Sequence, residues 1–219
     1  MAQDKTIYLI RHGESTYNEW RVRSILNFSW IFVKDPMLID ARLSRKGKQQ
    51  VLALKQNVLK QKLNESVEVI ITSPLSRAIE TALGGFEGCD IPIQVNPNCR
   101  EMLDTACDIG RQPQELAQDY GSRGIDTSKL REYWWLNNPT EATKITPQAA
   151  DDVSPLRETR ADLDERIRRF IAELEAMPQT TIAVVCHSNF ITRLTMTLQH
   201  PANCEIRKTT LQQLLAQNS

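Results

Sequence analysis

Two stretches of this chain end an apolar run in a histidine. TIYLIRHGES (Thr6 to Ser15) delivers Arg11, His12 and Gly13, and TIAVVCHSNF (Thr181 to Phe190) delivers His187 followed by Ser188. The one other histidine, His200, falls on a late helix or loop and reads as a surface residue. A third stretch, TSPLSRAIET (Thr72 to Thr81), carries Arg77, and a fourth, NPNCREMLD, carries Glu101. These residue types share one chemistry. A neutral histidine can attack phosphorus and become phosphohistidine. Arginine's planar, permanently charged fork matches phosphate oxygens. Phosphoryl transfer asks above all for positioning and charge stabilisation, and the leaving oxygen needs a proton that a carboxylic acid can give. The set is complete for phosphoryl transfer without a metal. A His/His/Glu zinc site is the competing reading, and two arginines beside the histidines would repel that cation. Each residue also has a bland alternative: a polar strand end for Arg11-His12, a surface arginine for Arg77, an ordinary acid for Glu101.

For these residues to meet, the chain must bring four strand ends together. Thr6–Ile10, Val67–Thr72, Ile91–Val95 (weakened by Pro92) and Thr181–Cys186 read as strands. Their continuous apolar runs suit strands buried on both faces of a parallel sheet. Helical spacing covers Ser44 to Leu63, with Val51, Leu54, Val58 and Leu59 on one side. Ser73-Pro74 predicts a second helix, with Ser as N-cap, that stops at Gly84-Gly85. Ser154-Pro155 repeats that signature for a helix to about Met177, and Ser188–Leu198 and Glu205–Gln217 read as two more. Alternating strands and helices predict an α/β fold: a three-layer, open, mostly parallel sheet with helices on both faces. Ligands bind beyond the carboxyl ends of such strands, where both histidines fall. Arg77 falls in the first turn of its helix, where the dipole favours an anion. A cation is out of place there unless an anion is shared, which makes Arg77 a phosphate-clamp candidate.

Trp20 to Asp40 and Tyr120 to Val153 show no clear period. They read as insertions, or lid segments, over one end of the sheet within a single domain spanning 1–219, with plain surface loop as the alternative.

Composition excludes several classes. Lys+Arg and Asp+Glu both total 27, so no net basic field points to nucleic acid or an anionic membrane. No stretch reaches the roughly 18 apolar residues of a spanning helix. The start, MAQDKTIYLIRH, has an apolar run too short for a secretory leader and broken by Arg11. Five scattered cysteines form no CxxC pair, which speaks against a disulfide framework or zinc knuckle and predicts a reduced, cytoplasmic setting. Cys186, just before His187, reads as sheet core.

RHGESTYN resembles the signature of the histidine phosphatase superfamily, the phosphoglycerate mutase-like family. The resemblance covers most of the chain: RHGE, Asn18, LSRKGKQQ, TSPLSRAIET, the REM stretch and CHSN follow in family order. It implies a phosphoglycerate mutase-like fold and no cofactor or metal. His12 resembles the phosphorylated nucleophile, Arg11 and Arg77 the phosphate clamp, and His187 the second histidine at the phosphoryl group. Glu101 resembles the proton donor, and Asn18 a polar residue that holds phosphate. The N–H of Ser188 is placed to donate to an oxygen, although the family usually has glycine there. The glycolytic mutases follow their asparagine with a stretch like N-x-F-x-G-W, are longer, and have adjacent arginines in the large insertion. Here EWRVRSILNFSW follows Asn18, and Arg123, Arg131 and Arg157 form no such pair.

The sequence therefore predicts a phosphohydrolase acting on a small phosphorylated metabolite. Arg21 and Arg23 are candidates for a second anionic group of the substrate, and Trp134 and Trp135 for either the pocket mouth or the core of a lid. Phosphoglycerate mutase-type transfer, a phosphoprotein substrate and an inactive phosphate-binding scaffold are the alternatives. A homodimer stays open.

Overall fold

The computed structural model describes residues 4–218. Its frame is one five-stranded sheet of β1 (Thr6–Arg11), β2 (Val69–Thr72), β3 (Ile93–Val95), β4 (Thr181–Cys186) and β5 (Ile206–Thr210), ordered β3-β2-β4-β1-β5. The first four strands are mutually parallel, and β5 runs antiparallel along β1. The helices are α1 (Thr16–Leu26), α2 (Arg45–Lys60), α3 (Leu63–Ser66), α4 (Ser76–Gly85), α5 (Pro113–Tyr120), α6 (Ala150–Val153), α7 (Arg160–Ala176), α8 (Ser188–Leu194) and α9 (Leu211–Gln217).

Strand side chains alternate between two cores, as a pleated sheet requires. Ile182, Val184 and Cys186 of β4 join Ile7 and Leu9 of β1 under Phe170 and Leu174 of α7, Phe190 of α8 and Leu214 of α9. Ala183 and Val185, with Ile10 and Ile70, face Leu54 and Val58 of α2 and Ala78 and Ala82 of α4. The expected three-layer, mostly parallel architecture holds, and Cys186 is core. Lys5, though buried, donates to the carbonyls of Leu174, Glu175 and Met177, a cation closing the carboxyl end of α7.

Four expectations need correction. Glu205–Gln217 is not one helix. Its β-branched half, Ile206–Thr210, pairs with β1 as an edge strand, and the helix begins only after Thr210 caps it. The helix expected from Ser154-Pro155 starts at Arg160, where Thr159 and Asp162 form a capping box. Ser154–Leu156 makes one 3-10 turn that continues directly from α6, and Glu158 turns inward instead. Ser73 is not the cap of α4, which begins at Ser76. Trp20 to Leu26, read as irregular, is the greater part of α1.

Candidate active site

His12 stands one residue beyond β1, its backbone N–H bonded to the carbonyl of Cys186 at the end of β4. The chain then turns against the start of α2, where contact is close. A Cβ on Gly47 would sit 2.0 Å from the Glu14 carbonyl oxygen, and one on Gly13 would sit 2.9 Å from that of Gly47. The Glu14 carboxylate accepts from the Ser44 hydroxyl at 2.8 Å and from Lys46 at 3.0 Å. RHGE and LSRKG are thus two sides of one joint that fixes the loop carrying His12.

The His12 ring is buried, and its Nδ1 lies 2.6 Å from the Gly13 carbonyl. A carbonyl only accepts, so Nδ1 carries the proton and Nε2 keeps its lone pair. Burial, then the charges of Arg77 and Arg11, hold this histidine well below its ordinary pKa. It is neutral and directed. His187, also fully buried, stands with its ring centroid 5.0 Å from that of His12. Both of its ring nitrogens, and Nε of Arg11, are buried without a hydrogen-bond partner among the described residues. Buried polar atoms normally have partners; phosphoryl oxygens, which accept, fit Nε of Arg11 and the one His187 nitrogen that carries a proton, since burial holds His187 well below its ordinary pKa. Arg77 is buried in the first turn of α4, with one nitrogen on the Cys107 carbonyl at 2.5 Å and another on Asp108 at 2.8 Å. Its fork is held from behind and borders the same cleft as Arg11 and His12.

Glu101 follows β3 in the loop beyond Cys99. It accepts from the backbone N–H groups of Met102 (3.0 Å), Asn189 (3.2 Å) and Phe190 (3.3 Å), the last two at the start of α8. Burial, reinforced by Asp108, outweighs those bonds and pushes the carboxyl up to about 7. An acid in that state can give or take a proton near neutrality. Behind it, Arg166 of α7 donates to the carbonyls of Asn98 and Arg100 at 2.8 Å and forks onto Glu158. Arg100 adds a bond to Glu158 at 3.0 Å. The loop presenting Glu101 is therefore clamped by a buried Arg–Glu–Arg triad.

A neutral, oriented histidine, two guanidinium groups and a carboxyl titrating near neutrality border one cleft of about 630 Å³, and His187 stands against His12 beside it. Residues 7–216 match the model of the histidine phosphatase superfamily, branch 1. The chain belongs to the histidine phosphatase superfamily. It is 28% identical to the Arabidopsis thaliana phosphoglycerate mutase-like protein 1, over 93% of this chain and 79% of that protein. A Schizosaccharomyces pombe protein named "Probable phosphatase" is 30% identical, over 90% and 80%. Among solved structures, the Shigella flexneri alpha-ribazole phosphatase superposes with a TM-score of 0.56 at 19% identity, covering 93% of this chain and 89% of that one. The mycobacterial glucosyl-3-phosphoglycerate phosphatase gives 0.53 at 20%, covering 93% and 89%. Those two likenesses concern the fold.

Within this superfamily member, Asn18 shares a capping box with Ser15: its side-chain oxygen accepts the Ser15 N–H at 3.2 Å, which leaves Nδ2 to donate into the cleft. Ser188 borders the cleft, its hydroxyl 2.9 Å from Nδ1 of His200. His200 is therefore at the site's rim, not on a remote surface; the Arg11 guanidinium donating to the Pro201 carbonyl holds its loop there. Arg21 lines the cleft. Arg23, two residues on and so roughly half a turn round α1, does not: it borders a separate shallow groove with Glu19 and Trp20. Trp134 and Trp135 are buried among Leu103, Ile109 and Leu116, so they are core and not pocket mouth.

Three supporting residues escaped the sequence reading. Thr81 accepts the Gly13 N–H at 3.0 Å and bonds back to the Arg77 carbonyl. Asp108 backs Arg77. Asp40 accepts from the Ser76 N–H at 2.7 Å and its hydroxyl at 2.5 Å, and so caps the helix bearing Arg77 from a distant segment. No local pattern announces a cap supplied from 36 residues away.

Proposed function

We propose that this protein is a phosphomonoester hydrolase acting on a small phosphorylated metabolite through a phosphohistidine at His12. The observation that carries the reading is the His12 ring: neutral, its Nδ1 fixed on the Gly13 carbonyl, its Nε2 lone pair free beside His187. Arg11, Arg77 and His187 bind the phosphoryl oxygens, and Asn18 and the Ser188 N–H add donors. Nε2 attacks phosphorus, the ester P–O bond breaks, and Glu101 gives its proton to the departing alkoxide. Water then attacks the phosphohistidine, Glu101 takes a proton from it, and inorganic phosphate leaves.

Two observations favour hydrolysis over a mutase reaction. A mutase must hold a second anionic group, yet Arg21 is the one arginine beyond Arg11 and Arg77 among the described residues lining the cleft. Asp104 and Asp108 line it too and oppose a second anion. The reaction is metal-independent, since the two guanidinium groups beside the histidines disfavour a metal cation. We place the enzyme in the cytoplasm, in keeping with five free cysteines; among the described residues no helix is long and apolar enough to cross a membrane.

Phosphate release from a panel of sugar phosphates, phosphoglycerates, nucleotides, phosphopeptides and p-nitrophenyl phosphate, in EDTA, tests this. Release that persists in EDTA and is lost in His12→Ala is the expected result. Interconversion of phosphoglycerates without release assigns a mutase, and silence in both assays assigns a phosphate-binding module.

A further inference from the structure

The segment after the active-site loop places its apolar side chains outward. Ile25, Leu26, Phe28, Trp30, Ile31 and Phe32 are 53–86% exposed. Of α1 itself only Tyr17 and Ser24 are buried. Isolated exposed hydrophobes need no explanation, but a contiguous set of this size marks a binding surface. Half of this set faces a concavity. Trp20, Ile25, Trp30 and Ile31 line a groove of about 830 Å³, a size suited to a small-molecule ligand.

The groove is not remote from the chemistry. Tyr17 and Arg21 line both it and the cleft that holds His12. A phosphoryl group at His12 therefore has an apolar channel beside it. The cleft's own acids, Asp104 and Asp108, oppose an anionic leaving group there; Arg21 and Lys34 are the two cations that border the groove.

We propose that the substrate is an amphiphilic phosphate monoester, its phosphoryl group at His12 and its alkyl, prenyl or aryl portion in the groove between α1 and the 3-10 turn Ser29–Ile31. The proposal rests on the phosphomonoesterase reading above and names its substrate class. The P–O ester bond breaks as the Nε2–P bond forms, the apolar alcohol leaves with the proton from Glu101, and water restores the enzyme as inorganic phosphate departs.

The test is kcat/KM for ethyl, butyl, hexyl and octyl phosphate, in EDTA and below micelle formation. Full burial of a methylene is worth about fourfold, and a half-open groove about twofold, so roughly 16-fold is expected from butyl to octyl. Ile25→Glu and Ile31→Glu should bring that ratio near one, and Ile25→Leu should keep it. The ratio is internal to each preparation, so a partly folded variant does not distort it. A wild-type rate flat in chain length overturns the proposal while leaving the hydrolase standing. A wild-type slope that survives both Glu variants overturns it as well. So does a wild-type dimer that Ile25→Glu separates, which gives the face to a second copy. Release seen only from phosphatidic acid vesicles gives it to a membrane surface and overturns it too. No His12-dependent release from any of these esters takes down the phosphomonoesterase reading and the proposal together.

Discussion

The two stretches without a clear period, Trp20 to Asp40 and Tyr120 to Val153, turn their aromatic residues in opposite directions. Trp134 is 1% exposed and Trp30 is 53% exposed. In the second stretch Trp134 donates from Nε1 to the Arg111 carbonyl at 2.8 Å and packs so tightly on Gly110 that a Cβ there would lie 2.1 Å from its ring. That stretch is a packed cap, and it reaches the chemistry only from behind: the Trp135 carbonyl and the Asn137 side chain accept from Arg100, next to Glu101. The first stretch is pinned at its exit, where Asp35 accepts the Ala106 N–H at 2.8 Å and Asp40 caps α4, but its middle packs on little. One stretch braces the loop of Glu101 and the other borders the cleft. Aromatic content alone distinguishes neither role.

That contrast can be broken in several places. The largest effect belongs to Trp134→Ala, which should destabilise the fold by about 3–5 kcal/mol in urea or thermal unfolding. A loss under about 1 kcal/mol would mean that the second stretch is not a packed cap. The next effect is on pH dependence. Attack needs neutral His12, held well below its ordinary value, and protonation of the leaving group needs Glu101 in its acid form, at about 7. The kcat/KM profile of the free enzyme should therefore be bell-shaped with its optimum below neutrality, falling on the alkaline side as pH rises through about 7. Arg100→Met loosens the brace and admits water to Glu101. Solvation favours the carboxylate, so the alkaline limb should move down by roughly one pH unit. An unmoved limb would separate the cap from the chemistry.

Smaller effects test the first stretch. Arg21→Ala should raise KM for butyl phosphate by about fivefold, a loss of ~1 kcal/mol for one partly exposed charge contact. Arg23→Ala should leave it unchanged. Equal effects would contradict the separation of the two arginines. Trp30→Ala should change stability by less than about 0.5 kcal/mol, as expected of an exposed side chain away from special contacts.

How much of this was legible in the sequence follows from how local each signal is. The ends of β1, β2 and β4 were readable because a buried strand is a continuous apolar run; His12 and His187 lie directly after two of these runs, and Arg77 in the helix after the third. Arg77 as a helix-start cation was readable as an electrostatic oddity, resolved here by Asp108 and the cleft. β5 was not, since IRKTT is a half-exposed edge strand abutting a true helix, and helical spacing in Leu211–Gln217 ran over the boundary. Long-range partners were hidden altogether: Asp40 on Ser76 and Arg166 behind Glu101 join residues that no window spans, and the turn that brings His200 back to Ser188 carries no periodic signal. Burial direction was also hidden, which is why Trp134 and Trp30 looked alike.

The central claim is a covalent intermediate on one named nitrogen. Rapid mixing with substrate, quenching in alkali, where phosphohistidine survives, and mass spectrometry of the peptide containing Arg11-His12-Gly13 reads it directly. A phosphoryl group on His12, formed and lost within a turnover and accumulating in Glu101→Gln, is the expected result. Turnover at the normal rate with His12 never phosphorylated, or with the phosphoryl group on His187 instead, would contradict it.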